Sequence, residues 1–423
     1  MIWLKKIKAG ALQYVLVISV IIAIIVFAFI SLIYLQQRMN SKHQFTKETI
    51  ANTQLGFDYL KLKNIAYNSE IKLDFTDNPQ ATTTITKKHW GIFDLAIVTS
   101  QIKNERFKKV GLLGTQNIHK EALYLKENNQ SLVLVGATKI IGNASLPKQG
   151  VKSGNISGTS YNGNQLIYGN RKLSTSSLPK IKNIDYLRTI SKNYFEDAVE
   201  RFELEYEMKR HHSFHENTLL YEDTNPIILE NISLSGNMML ISKSKITVKS
   251  SAKLEDIILI APKIIIESNF IGNFQAIATK NIEVKPNCFL NYPTALIVIE
   301  KEVVQSKQPT QTTKEENNIL ISKNSQVKGV LIFDSENKTS NYKTQINIED
   351  KAILTGEVYC TKNLELLGTV FGSVYTNNFI VHKSGSIYIN YIYNGVINVK
   401  ELPNQYAGIP FNEESNIVAK WVD

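Results

Sequence analysis

From Lys245 onward the apolar positions recur at an offset of eighteen residues. Lys245-Ile246-Thr247-Val248-Lys249 returns as Lys263-Ile264-Ile265-Ile266-Glu267 and again as Asn281-Ile282-Glu283-Val284-Lys285. Such a period also equals about five helical turns, so spacing alone does not choose between helix and strand. Composition chooses: the units are short β-branched runs, Ile257-Ile258-Leu259-Ile260 and Ile264-Ile265-Ile266, punctuated by Ser250-Ser251, Pro262, Ser268-Asn269 and Pro286-Asn287. Superposed repeats predict two inward columns, Ile246, Ile264, Ile282 and Val248, Ile266, Val284, with Thr247, Ile265 and Glu283 facing outward. Ile241, Leu259 and Ile277 make a further inward column, Lys249, Glu267 and Lys285 a column of alternating charge, and Asn269 stands above Asn287 at a corner. One unit is too small to bury its own apolar face, so units must stack and share a core. The expected fold class is mainly β, a parallel β-helix (a solenoid of about 18 residues per rung) over residues 225–400.

The same reading partitions the rest of the chain. Residues 1–13 are a basic leader, and 14–35 an uncharged run from Tyr14 to Leu35, long enough at about 1.5 Å per residue to cross a membrane as a helix. The run ends in Leu32-Ile33-Tyr34-Leu35, the wrong chemistry for signal cleavage, so an uncleaved single-pass anchor in the cell membrane is expected. Lys5, Lys6 and Lys8 precede it, which places the C-terminal domain outside the cytoplasm. Residues 36–122 read as a membrane-proximal helix, striped by Ala51, Leu55, Tyr59 and Leu62, followed by strands at Ile71 to Phe75, Trp90 to Val98 and Val110 to Leu113. Residues 123–182 alternate short strands with glycine turns and read as early β-rungs. Phe195, Val199, Phe202 and Tyr206 recur at helical spacing, so 183–208 is expected to be an amphipathic helix that caps the coil. Residues 401–423 are left as a C-terminal tail. The polar stretches Gln305 to Asn318 and Ser335 to Gln345 fit loops thrown out of the coil.

Composition refines this picture. The 423 residues are 43% hydrophobic and 20% charged, a globular balance rather than a disordered one. The net charge of +10 is dispersed along lysine-rich strands and loops, which argues for a solvated surface and against a nucleic-acid partner. The bilayer is the expected partner, with acidic polysaccharide a candidate for the positive surface. Two cysteines, Cys288 and Cys360, make no disulfide framework; Cys288 aligns with Ala252 and Phe270, a core column, and a pair with Cys360 stays open. Reactive chemistry is sparse. His211-His212-x-x-His215 has the look of a metal cluster but lacks a second ligand group, and it reads as a solvated or packed set of histidines. Glu255, Asp256, Glu267 and Glu283 do not supply the convergent carboxylates and base of a polysaccharide lyase. No catalytic, cofactor or metal residues are assigned, and the expectation is not an enzyme.

Two family resemblances bear on function. Gly329-Val330-Leu331-Ile332, Gly356-Glu357-Val358-Tyr359 and Gly372-Ser373-Val374-Tyr375 repeat a corner and strand, and Asn363-Leu364-Glu365-Leu366 answers Asn378-Phe379-Ile380-Val381. The glycine-spaced rungs from Ile346 to Asn390 resemble those of bactofilins, cytoskeletal β-helix proteins that form polymers, which implies a β-helix here. Lys8-Ala9-Gly10 ahead of an apolar run, then a long helix feeding a small sheet, resembles type IV pilins and pseudopilins, which implies envelope or pilus-assembly partners. Ala11 and Val15 depart from that pattern, where the pilin leader has an aromatic or Met and a Glu. The leading expectation is a membrane-anchored extracytoplasmic β-helix with a structural or assembly role in the cell envelope. The alternatives are a pilin-like subunit of a filament or secretion apparatus and a polysaccharide-binding or polysaccharide-cleaving solenoid.

Overall fold

The computed structural model describes residues 9–76, 78–116, 121–192, 199–300, 317–337, 342–411 and 416–423. The fold is mainly β with one long apolar N-terminal helix, and it divides into two compact units. The first contains the chain up to Tyr59, Glu70–Thr86 and Ile97–Lys109; the second contains Leu60–Ser69, Lys87–Ala96 and Val110–Asp423.

In the first unit, helix α1 (Ala9–Leu62) carries the whole apolar run, and every side chain from Leu12 to Gln44 is exposed. The helix is long and apolar enough to cross a membrane. The hydroxyls of Thr46, Thr49 and Thr53 bond to carbonyls three or four residues back, which satisfies them inside the helix. The expected stripe is not the buried one: Ala51, Leu55 and Leu62 are exposed, whereas Thr49, Asn52, Thr53, Gly56 and Phe57 are buried. Gly56 explains the choice, since a Cβ there would stand 2.5 Å from Val98 Cγ1, and only a small residue admits so close an approach. Strands β1 (Glu70–Leu73), β2 (Ala81–Trp90), β3 (Phe93–Ile102) and β4 (Glu105–Thr115) follow, in that hydrogen-bonded order. β1 and β2 run antiparallel with Glu70 opposite Thr86. The strand expected from Trp90 to Val98 is instead a turn at Gly91 followed by β3.

In the second unit, parallel strands join into one closed hydrogen-bonded network. Ile246 lies opposite Ile264, Ile264 opposite Ile282, and the column continues through Ile319, Ile346, Leu364 and Phe379. All seven side chains are buried in a single interior cluster. Asn231, Asn269, Asn287 and Asn324 turn the corners with φ between +53° and +67°, a conformation asparagine tolerates better than other side chains with a Cβ. Buried and half-buried amides form a ladder beside the column: Asn128 Nδ2 donates to Asn378 Oδ1 at 2.8 Å, Asn378 Nδ2 to Asn363 Oδ1 at 3.3 Å, and the Asn363 backbone N–H to Gln345 Oε1 at 2.9 Å.

The glycine steps have a local cause. Gly329, Gly356 and Gly372 pair with one another at φ near +150°, and a Cβ on Gly356 would lie 1.8 Å from the Gly329 carbonyl and 2.6 Å from Tyr406 Oη. Tyr406 Oη donates to that carbonyl at 2.8 Å, so the glycines make room for the segment Tyr406–Phe411 against the parallel strands. What was expected to be a tail is therefore packed: Tyr406, Ala407 and Ile409 are buried, and Asn416–Val422 pairs antiparallel with β4, Val422 opposite Val110.

Four further expectations are corrected. Among the described residues, helix α2 (Ile184–Ile190) is what forms of the helix expected over 183–208. Residues 193–198 lie outside the described residues, and Val199–Arg201 is a strand parallel to Thr218–Leu220. Strand pairing and the packing of Phe202 on Tyr221 outweigh the helical spacing, and Tyr206, expected on the apolar face, is exposed. The column Ile241, Leu259, Ile277 is out of register: Leu259 pairs with Leu240 and with Ala276, the latter because Asp256, at φ +59°, inserts a bulge. Thr247, expected outward, is buried at 6% exposure. Finally, of the strands between residues 121 and 173, Glu121–Leu125, Lys139–Ile141, Asn143–Leu146 and Arg171–Leu173 belong to the parallel network, but at its other end. Glu121–Leu125 pairs with Thr369–Lys383, and Lys139–Ile141 with Val396–Asn398, so these strands continue the network from its C-terminal strands.

Candidate functional site

The three histidines do not converge. His211 Nδ1 meets Ser235 Oγ at 2.9 Å, His212 Nε2 the Asn217 carbonyl at 2.6 Å, and His215 Nε2 approaches Asp423 at 3.7 Å. Among the described residues no group of three metal-ligating side chains comes together. The acidic candidates are also dispersed. Lys420 bridges Glu255 at 2.7 Å and Asp256 at 2.6 Å, and Asn273 Nδ2 donates to Asp256 at 2.7 Å. Burial pulls the Lys420 ammonium down, but the two carboxylates outweigh it and hold the group above its ordinary value. Glu283 binds Lys285, two residues further along the chain.

The thiols are inert for a physical reason. Cys288 and Cys360 are both free and buried; burial raises the Cys288 thiol and pushes Cys360 up to about 12, far from the thiolate a nucleophile needs.

The most elaborate polar constellation was not legible in the sequence. Lys87 on β2 and Asp94 on β3 are both buried, 3.6 Å apart. Lys87 Nζ donates to Asn64 Oδ1 at 2.6 Å and sits 4.0 Å from the centre of the Tyr67 ring. Tyr67 Oη donates to Asp94 at 2.9 Å, and Asn183 Nδ2 donates to the same carboxylate at 2.8 Å. The His89 ring is stacked between Tyr67 and Tyr186, with centroids 3.6 and 4.0 Å away. Burial, reinforced by Asp94, raises the Tyr67 hydroxyl well above its ordinary range; burial lowers Lys87, with Asp94 opposing. At 1% exposure Lys87 has no access to a substrate, and the network ties β2 and β3 to the segments before β1 and α2. Removing one partner of such a pair costs about 3–5 kcal/mol because it strands the other charge.

A second joint lies at the β2–β3 turn. Gln275 Nε2 donates to the Trp90 carbonyl at 2.8 Å, and its Oε1 accepts from Ile92 N–H at 2.9 Å, so one side chain pairs with the turn as a strand would. Gly91, at φ +62°, leaves room for it. A sequence signal for this existed: Gln275 is the one polar residue in the run Phe274-Gln275-Ala276-Ile277-Ala278. Lys87 and Asp94 gave none, since a lysine and an aspartate on strands read as solvated. No family model, curated protein or solved structure matches this chain.

Proposed function

We propose that this is a single-pass membrane protein in which α1 anchors an extracytoplasmic parallel β-helix that serves as a structural or assembly element of a bacterial-type cell envelope. The observation that carries the proposal is α1 itself: its apolar first half is uncovered on every side, and it continues without a break into a folded unit. The strand pairing at repeat spacing supports the β-helix, and the polar groups lock segments together instead of converging on a cavity. Topology is tested with a cysteine introduced at exposed Lys172, since both native thiols are buried. A maleimide probe labels it in right-side-out vesicles without permeabilisation. Labelling only after permeabilisation reverses the orientation, and release by high salt alone removes the anchor.

A second reading, a pilin-like filament subunit, is favoured by one feature of the first unit. The second half of α1 packs on antiparallel strands, with Gly56 against Val98 and Ile85 and Thr46 beside Glu105. The anchored reading expects the mature protein to keep its leader through Gly10. N-terminal mass spectrometry of membrane-extracted protein decides between them, because a chain beginning at Ala11 is the product of prepilin-type processing.

A further inference from the structure

On the first rungs of the coil an open groove of about 760 Å³ is lined by Glu207, Lys209, Asn231, Ser233, Ser251 and Lys253. Its floor is set by strand register. Lys209 pairs with Ser233, and Ser233 with Lys253, so the three side chains form one outward column with the lysines two strand spacings apart, about 9.5 Å. The corner residues are held in place: Glu207 and Asn231 turn at positive φ, and Asn231 N–H donates to Ser251 Oγ at 3.0 Å. Among the described residues neither Lys209 nor Lys253 has a carboxylate partner, and Glu207 is the one acid of the lining.

The column does not stop at the groove. Glu255 pairs with Asn273, so two residues earlier the same offset sets Ile271 beside Lys253, and Ile271 pairs with Phe289. Ile271 is 60% exposed and Phe289 42%. Five rungs thus present, in order, a cation, a hydroxyl, a cation and two uncovered apolar side chains, over about 19 Å. Fixed cations spaced along a row match a polymer with periodic carboxylates, serine and asparagine side chains match its hydroxyls, and an exposed aromatic matches the apolar face of a sugar ring. A purely phosphate polymer would leave Ile271 and Phe289 without a partner.

We infer that this column is a binding surface for an acidic polysaccharide of the uronate class. The inference goes beyond the anchor-and-scaffold reading and does not depend on it, because binding is measured on detergent-solubilised full-length protein whatever its topology. The probe is polygalacturonate, with neutral dextran and polyphosphate alongside. Wild type binds polygalacturonate, more weakly as salt rises, and does not bind dextran. Lys209→Glu with Lys253→Glu lowers the affinity roughly tenfold or more, and Phe289→Ala about threefold, with the thermal midpoint unchanged for these exposed positions. Lys209→Gln with Lys253→Gln serves if the charge reversal disturbs folding, and it lowers affinity in the same direction. The inference is overturned if wild type binds no polygalacturonate, if the lysine variants bind as wild type does, or if polyphosphate binds equally well and Phe289→Ala has no effect.

Discussion

Two faces of the same parallel-strand network obey different sequence rules. On one, Ile246-Thr247-Val248, Ile264-Ile265-Ile266, Ile282-Glu283-Val284, Ile346-Asn347-Ile348 and Leu364-Glu365-Leu366 keep apolar residues at alternate positions, and it is these that enter the interior cluster. On the other, Ile257 to Ala261, Phe274 to Ala278, Ala295 to Ile299 and Val330 to Phe333 are almost continuously apolar. The reason is visible at Ile258, Ile260 and Ile277. They are buried yet lie outside the interior cluster, on the outer surface of the sheet. Along that surface Gln275 clasps the Trp90–Ile92 turn, Tyr406 lies over the glycines, and Phe411 packs on Tyr359 and Tyr375. Alternation marks a sheet covered on one side, and an unbroken apolar run marks a sheet covered on both.

The largest effects test this distinction directly. Ile260→Asp and Ile264→Asp each bury a charge without a partner and destabilise by about 4 kcal/mol or more, whereas Ile265→Asp, outward on the one-sided face and half-exposed, stays within about 1 kcal/mol. Thermal unfolding of the three variants in detergent reads the result; an Ile260→Asp as mild as Ile265→Asp would break the comparison. Thr247 is a poorer outward control than its column suggests, because it is buried.

Next in size is Gly356→Ala, which places a methyl against the Gly329 carbonyl at a backbone angle alanine resists. A loss of about 3–4 kcal/mol is expected, with limited proteolysis first cutting around Tyr406–Phe411 as the displaced segment opens. A cut pattern like that of wild type would show that the glycines do not serve this segment. Gln275→Ala leaves the Trp90 carbonyl and the Ile92 N–H unpaired in a buried place and costs about 2–3 kcal/mol. Hydrogen exchange at Ile92 should quicken more than exchange in the Ile246–Ile264 column; equal protection at both would place the turn's anchorage elsewhere.

Legibility followed locality. Ile246, Ile264 and Ile282 could be aligned because no residue is inserted between them and each points inward. The Leu259 column could not, since the spacing from Leu240 is nineteen residues and the bulge at Asp256 makes that to Ala276 seventeen. The buried face of α1 escaped because Thr49, Asn52, Thr53 and Gly56 are chosen for close approach, not hydrophobicity. The place of the strands from Glu121 to Leu173, the pairing of Asn416–Val422 with β4, and the Lys87–Asp94–Tyr67 network all depend on partners distant in the chain. Local pattern carries no record of those. In the candidate glycan column the lysines and Phe289 were visible as residues, but only register sets them in one row.

The smallest expected effect concerns the tie between the last strand and the two-sided face. Lys420 holds Glu255 and Asp256, and Asp256 is the residue that makes the bulge. Lys420→Met keeps the side chain's bulk and removes its charge, and it should cost about 1 kcal/mol at neutral pH, since Lys420 and Glu255 retain contact with water. The sign of the pH dependence follows from the folded value lying above the ordinary 10.5. The stabilisation is fully present below the unfolded value and is lost as pH rises through the folded one, because the folded state then gives up a proton it had held more tightly. The difference between wild type and variant in thermal midpoint should therefore be constant at neutral and mildly alkaline pH and shrink only above the ordinary lysine value. A difference that shrinks first while pH is still near neutral would mean that the ammonium is not held by its carboxylates, and that hydrogen bonding along Asn416–Val422 alone fixes this strand.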